Sequence, residues 1–218
     1  MAASTTPVVA SVRDAIRQRG RGKVFTSKDF LDIGGRDAVD QALSRLSRFG
    51  DIKRIGRGLY HYPRVNSRLG ITVSPDADDV AQALARQTGT RIAPSGAVAA
   101  NRLGLTTQVP GRLVYLTDGY SRKVKASDLE FTFKHVAPKD FPPGSPTSAA
   151  VFQALRYLGP DAITDDVLRQ LRRALPDRAL KRLLDDARYT TDWVHQVVRR
   201  LAEESSADAP KKEAFAHG

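Results

Sequence analysis

Residues 36–63 read RDAVDQALSRLSRFGDIKRIGRGLYHYP, and this stretch decides the fold. Val39, Ala42, Leu43, Leu46 and Phe49 recur at helical spacing and predict one apolar face over 36–49. Gln41, Ser44, Arg45 and Arg48 fall on the opposite face, and Gly50 ends the helix. Two short strands are expected next, at 52–55 and 59–62, joined by Gly56-Arg57-Gly58. Upstream, Val8, Val9, Val12, Ala15 and Ile16 mark a first helix that follows Pro7 and stops at Gly20. Lys23-Val24-Phe25 is a short β-like piece. Thr26 or Ser27 then caps a short helix over 28–33 with Phe30 and Leu31 facing inward, and Gly34-Gly35 makes a turn. Helix, strand, helix, helix, hairpin is the order of a winged helix-turn-helix.

Such an arrangement carries a definite chemistry. A helix fits the major groove of DNA, and its outward side chains reach base edges and phosphates. Gln41 can pair with adenine, Arg45 and Arg48 with guanine, and Ser44 with a phosphate or base edge. Arg36 is a candidate phosphate contact at the helix start, with Asp37 and Asp40 opposing it. Lys53, Arg54 and Arg57 flank the glycine-framed hairpin tip, where phosphate contacts would add affinity without sequence preference. The competing reading is the solvated face of an ordinary helical bundle. The basic hairpin directly after the amphipathic helix argues against it.

Downstream the pattern changes. Ile71-Thr72-Val73 reads as a strand, and Ser74 or Asp76 as the cap of a helix over 77–88. Pro94 or Ser95 opens another helix through 97–103. Residues 109–117 and 129–135 alternate like strands, with Asp118-Gly119 as the turn between them. The run 138–146, PKDFPPGSP, is a hinge by composition. Four helices are expected beyond it, at about 147–158, 164–175, 177–188 and 191–204, the first capped by Thr147 or Ser148. Residues 205–218 read as a polar, flexible tail.

Charge and composition narrow the function classes. Among 218 residues the formal net charge is +11, with a sequence pI near 10.2. Residues 1–62 hold 12 Lys/Arg against 6 Asp/Glu, whereas 147–218 hold 12 against 11. A polyanion would therefore bind at the N-terminal end. With no cysteine, disulfides, thiolate nucleophiles and cysteine-bound zinc are excluded. The four histidines show no ligand spacing, so no metal and no cofactor is expected. No apolar run reaches the roughly 20 residues of a membrane span, and residues 1–7 lack the features of a signal peptide. Cytoplasm is the expected compartment.

Catalysis finds little support. Asp118, Glu130 and Lys134 fall on or beside the expected strand pair, but the nuclease pattern wants Glu-x-Lys where this chain has Glu-x-x-x-Lys. Asp76-Ala77-Asp78-Asp79 is explained as an acidic helix N-terminus rather than a metal cluster. Ser95 lacks the preceding glycine of a nucleophile elbow, and His135 has no assignable orienting carboxylate. No enzymatic activity is expected. A second alternative is a protein-interaction module built on the C-terminal helices, whose leucines at 168, 171, 180 and 183 line helical faces.

Two blocks of sequence resemble a known family. VFTSKDFLD at 24–32, followed by residues 36–63, looks like the N-terminal domain of AbiEi-type antitoxins, regulatory partners of nucleotidyltransferase toxins in type IV toxin–antitoxin systems. Residues 91–120, RIAPSGAVAANRLGLTTQVPGRLVYLTDGY, resemble the middle of the AbiEi-like family DUF6088. Gly35 departs from the pattern, standing where a Ser or Thr helix cap is usual. The resemblance implies a repressor that binds inverted repeats in its own promoter, with the rest of the chain opposing a nucleotidyltransferase-type toxin. A regulator of the same type without a toxin is the alternative.

The expected fold is α+β: a winged helix-turn-helix at 1–63, a small α/β unit at 64–146, and C-terminal helices at 147–218. Operator binding through residues 36–57 as a homodimer, or as pairs of monomers on a repeat, is the expected mode.

Overall fold

The computed structural model describes residues 5–207 and is α+β. The expected tail beyond 207 lies outside the described residues. The chain sorts into two compact units: residues up to Ile92 with Arg112–Val136, and Ala93–Gly111 with the chain from Ala137 onward. Residues 5–63 fall whole within the first unit, and 64–146 are shared between the two. Among the described residues no helix is long and apolar enough to cross a membrane.

The first unit opens with helix α1, Thr5–Arg19, which buries Val12 and Ile16. Gly20 ends it in the left-handed region, where a glycine carries no steric penalty. Strand β1, Val24–Phe25, follows. Thr26 then caps a 3-10 turn, Ser27–Phe30: its backbone N–H donates to the Asp29 carboxylate at 2.8 Å. Three residues per turn put Ser27 and Phe30 on one buried face and turn Leu31 out to 46% exposure, although Leu31 was expected inside. Gly35 supplies the cap position of helix α2, Arg36–Arg48, without a side-chain hydrogen bond.

Helix α2 buries Val39, Ala42, Leu43 and Leu46 completely. Phe49 does not join them. It is the C-cap and is 77% exposed, because left-handed Gly50 swings the backbone round and Ile52 enters the core in its place. Strands β2, Lys53–Gly56, and β3, Leu59–His61, complete an antiparallel sheet in the order β1-β3-β2. A two-stranded ribbon follows, β4 at Arg64–Asn66 and β5 at Ile71–Val73. Helix α3, Ala77–Thr88, is capped by the Asp76 carboxylate, which accepts from the N–H groups of Asp78 and Asp79. Strand β6, Ile92–Pro94, lies where the chain passes from the first unit to the second.

Back in the first unit, β7 (Leu113–Thr117), β8 (Arg122–Ala126) and β9 (Leu129–His135) lie in the order β7-β9-β8. Sequence periodicity missed β8 and placed Asp118-Gly119 as the turn between two strands. Instead β7 and β9 run parallel, and β8 is the return between them, antiparallel to β9. Three cations in five residues hide β8 from any apolar pattern; their backbone is held by β9. Its turn into β9 sets Ser127 and Asp128 both at positive φ, the primed geometry that two-residue hairpins require. Tyr115, Phe131 and Phe133 fill the inner face, with ring centroids 6.0 and 6.4 Å apart.

The second unit is helical. Helix α4, Gly96–Arg102, packs on α5, Pro146–Leu158, through Ala99, Ala100 and Ala154. Ser145 caps α5, accepting from the Ser148 N–H at 3.1 Å, with Pro146 in the first helical position. Thr147 and Ser148 were the expected caps, but the proline fixes the start two residues earlier and Ser148 is buried. A 3-10 turn at Pro160–Ala162 leads to α6 (Asp165–Ala174), α7 (Asp177–Ala187) and α8 (Asp192–Ala207). Leu168, Leu171, Leu180 and Leu183, weighed above as a partner surface, are core side chains around Phe152 and Leu155.

A Cβ on Gly96 would fall 2.5 Å from Tyr157 Cβ and 3.0 Å from the Gln153 carbonyl oxygen. Alanine ordinarily gains up to about 1 kcal/mol over glycine in a helix, so the sign of the effect is diagnostic. Gly96→Ala is expected to destabilise the chain by about 1–3 kcal/mol in urea denaturation, since neither neighbouring atom sits on a flexible side-chain end.

Candidate nucleic-acid interface

With four side chains of α2 fully buried, the helix cannot rotate about its axis, and the direction of every other side chain on it follows. Gln41, Arg45 and Arg48 are exposed, and Ser44 is half-buried beside them. Among the described residues these side chains form no hydrogen bond or ion pair. Arg36 differs: its Nε donates to Asp40 Oδ2 at 2.9 Å, one turn along. The pair neutralises an acid that would repel a phosphate but commits part of the Arg36 guanidinium. Asp37 remains in the first turn, where the helix dipole favours it. Exposed Phe49 adds a flat apolar ring at the end of the same helix.

The hairpin separates the three cations that the sequence grouped together. Lys53 pairs across the sheet with His61, which pairs with Val24; Arg54 pairs with Tyr60, which pairs with Phe25. Residues directly opposite share a face of a sheet, and successive residues alternate. Arg54 therefore lies on the side of Tyr60 and Phe25, which pack with α1 and α2, and Lys53 lies on the other side. Arg57 stands exposed at the tip. A register shift between Arg54 and Gly56 bends the strand there.

The tip is fastened at two points. Gln87 of α3 donates its side-chain N–H to the Arg57 carbonyl at 2.8 Å. The Ser127 N–H, in the β8–β9 turn, donates to the Ile55 carbonyl at 2.9 Å on the free edge of β2. Gly58 is left-handed, and a Cβ there would lie 2.7 Å from the Gln87 amide nitrogen, so the residue at 58 is constrained twice. Between β2 and the β8–β9 turn runs a cleft of about 540 Å³ lined by Lys53, Lys125, Ser127, Asp128 and Glu130. Neither Gln87 nor Ser127 gives a sequence signal, because their contacts span 30 and 72 residues and their own elements account for their types.

The acidic candidates are accounted for locally. Asp118 accepts from the backbone and side chain of Arg91 at 2.8 and 3.0 Å, and that hydrogen bond chiefly holds its carboxyl below the ordinary aspartate range. Glu130 lies 4.0 Å from Lys123, and Lys134 shares its face of β9. Asp79 pairs with Lys23 at 3.2 Å. Among the described residues no group of three or more carboxylates or histidines is placed to hold a metal ion. Ser95 occupies the N-cap of α4, and His135 Nδ1 lies 2.9 Å from the Gly119 carbonyl.

Behind Lys53 the His61 ring is 2% exposed, and its Nε2 finds no hydrogen-bond partner among the described residues. Burial is the main force lowering its pKa; the Lys53 charge adds to it, and Asp79 opposes. The folded chain therefore resists a proton that the unfolded chain accepts below about pH 6.5. The stability from neutral His61 is present above that pH and lost as pH falls through it. Urea midpoints are expected to drop between pH 7.5 and 5.5, with a shallower drop for His61→Leu. For the tip, Gln87→Ala is expected to speed tryptic cleavage after Arg57 severalfold while the melting temperature stays within about 2 °C, the scale of an exposed single hydrogen bond.

The sequence profile of a family of unknown function, DUF6088, matches residues 11–183. No curated protein matches. Among solved structures, the RV2827C protein from Mycobacterium tuberculosis is 22% identical over 91% of this chain and 71% of that one, with a TM-score of 0.41. With most of its length inside the profile, the chain belongs to the DUF6088 family.

Proposed function

We propose that the chain is a sequence-specific regulator of transcription, that residues 5–63 act as a winged helix-turn-helix on duplex DNA, and that it represses its own promoter. The observation carrying this reading is the state of α2. Its inner face is completely buried while Gln41, Arg45 and Arg48 stand exposed and unengaged, the condition of a helix that reads a groove. The hairpin after it presents Arg57 at a tip held by Gln87, suited to a phosphate contact that fixes register. The N-terminal excess of positive charge supports the same assignment.

The resemblance of residues 24–63 to AbiEi-type antitoxins extends the proposal. The chain serves as the antitoxin of a type IV pair, opposing a nucleotidyltransferase-type toxin encoded beside it. Binding to inverted repeats places two copies on one operator, as a homodimer or as adjacent monomers.

Gel-shift titration of the purified chain against its own promoter and an unrelated duplex of equal length tests the regulator. Selective, salt-sensitive binding is expected. Arg45→Ala should cost about 1–3 kcal/mol on the promoter and narrow the gap between the two duplexes. Arg57→Ala should weaken both alike and reduce the salt slope by about 1. Equal binding by the wild-type chain to both duplexes would reduce it to a basic domain. Binding to neither would sink the DNA reading and turn attention to a protein partner. Co-expression with the neighbouring nucleotidyltransferase-type gene, if it relieves growth arrest, supports the antitoxin half.

A further inference from the structure

The ribbon of β4 and β5 has no role in the interface described above, and its composition is unusual. From Ile52 to Pro75 there is no acidic residue, while Lys53, Arg54, Arg57, Arg64 and Arg68 all fall within that span. The last two belong to the ribbon, are exposed, and have no carboxylate partner among the described residues. Three large apolar side chains stand out on the same ten residues: Val65 at 55%, Leu69 at 67% and Ile71 at 55% exposure. A two-stranded ribbon is at best marginal in water, and exposed aliphatics on it cost further. By the register Val65 shares one face with Thr72, while Arg64 and Ile71 share the other; an occupant apolar near the ribbon's axis and negative at its rims, flanking both faces, would suit it.

The ribbon's root and tip are both fixed. At the root, Arg21 donates to the Pro63 carbonyl at 3.0 Å and lies 4.6 Å over the Tyr62 ring, and the Tyr62 backbone pairs with Gly22 and Lys23. At the tip, the Asn66 side chain accepts from the N–H groups of Arg68 and Leu69, and left-handed Gly70 closes the turn. Arg68 and Leu69 are thereby presented side by side at the end of an arm. Three residues per strand give a reach of about 10 Å. The minor groove of B-DNA is about 7.5 Å deep.

We infer that β4–β5 is a minor-groove arm, with Arg64 and Arg68 engaging the negative groove and Leu69 entering against the base steps. This rests on the chain being a DNA-binding protein, as proposed above. Arginine with a single apolar wedge is the set of side chains that minor-groove arms employ. A duplex supplies both requirements of the surface, negative phosphates at the edges and apolar sugar and base faces between them.

The test uses the full chain and a 30-base-pair duplex from its promoter. Trypsin is expected to cut after exposed Arg68 in the free protein, and the duplex to suppress that cut. Distamycin, which fills the minor groove, is expected to restore it. Arg64→Gln with Arg68→Gln, and separately Leu69→Ser, should each weaken promoter binding about tenfold; the arginine pair should also lower the salt slope by about 2. Continued cleavage in a saturated complex, or protection that distamycin leaves intact, would overturn the arm while leaving the α2 reading standing. A self-association in the absence of DNA that Leu69→Ser abolishes would assign the ribbon to a second copy and overturn it as well. Failure of the wild-type chain to bind the duplex at all would overturn both readings.

Discussion

Complete burial of Val39, Ala42, Leu43 and Leu46 is the constraint from which the proposed chemistry of this chain descends. A helix with four side chains sealed in a core has no freedom to roll, and a 3.6-residue period then dictates what it shows to solvent. The core that seals it comes from short pieces: Val12 and Ile16 of α1, Phe25, Phe30, and Ile52 entering after the helix. Each is placed by a local device, such as the Thr26–Asp29 capping box or the left-handed Gly50. Large-to-small changes at such positions typically cost about 2–5 kcal/mol, a sizeable part of a domain's total stability. Presentation of the outer face and survival of the fold are thus one property.

The hairpin obeys a different logic. Its strands are short and its tip carries two glycines; β3 is buried at Leu59, Tyr60 and His61, whereas β2 and the tip are exposed or half-buried. The position of its tip and of the β2 edge is set from outside by one side-chain amide and one backbone N–H. Such bonds are individually weak, about 1 kcal/mol, yet they limit a flexible tip to a small set of positions. Preorganisation of this kind lowers the entropy cost of a later contact.

What the sequence made legible divides along the same line. Helix α2, the hairpin and α3 were readable because their signals are local: an apolar stripe, a glycine-framed turn, an Asp cap. Arg36, Gln41, Ser44, Arg45, Arg48 and Arg57 could be placed on an outer surface for the same reason. Phe49 misled because periodicity does not register where a helix stops. Strand β8 was invisible because cations dominate it and its only reason to be a strand is β9. Lys53 and Arg54 looked like a pair in sequence, and the pleat sends them to opposite sides. The fastening of the tip was beyond reach, since Gln87 and Ser127 act across 30 and 72 residues.

The two units are interleaved: residues 93–111 of the second interrupt the first, which resumes at Arg112 and ends at Val136. Synthesis from the N-terminus therefore delivers α2 and its core early, while the turn that braces the edge of β2 emerges some seventy residues later. Until Ser127 has been made, the Ile55 carbonyl on that edge lacks the donor it has in the full chain. No single cut separates one complete unit from the other: a break after Val136 strips 93–111 from the second unit, and a break after Ile92 strips 112–136 from the first. Exchange of one complete unit therefore takes three crossover points, after Ile92, Gly111 and Val136, where a chain of consecutive units would need one.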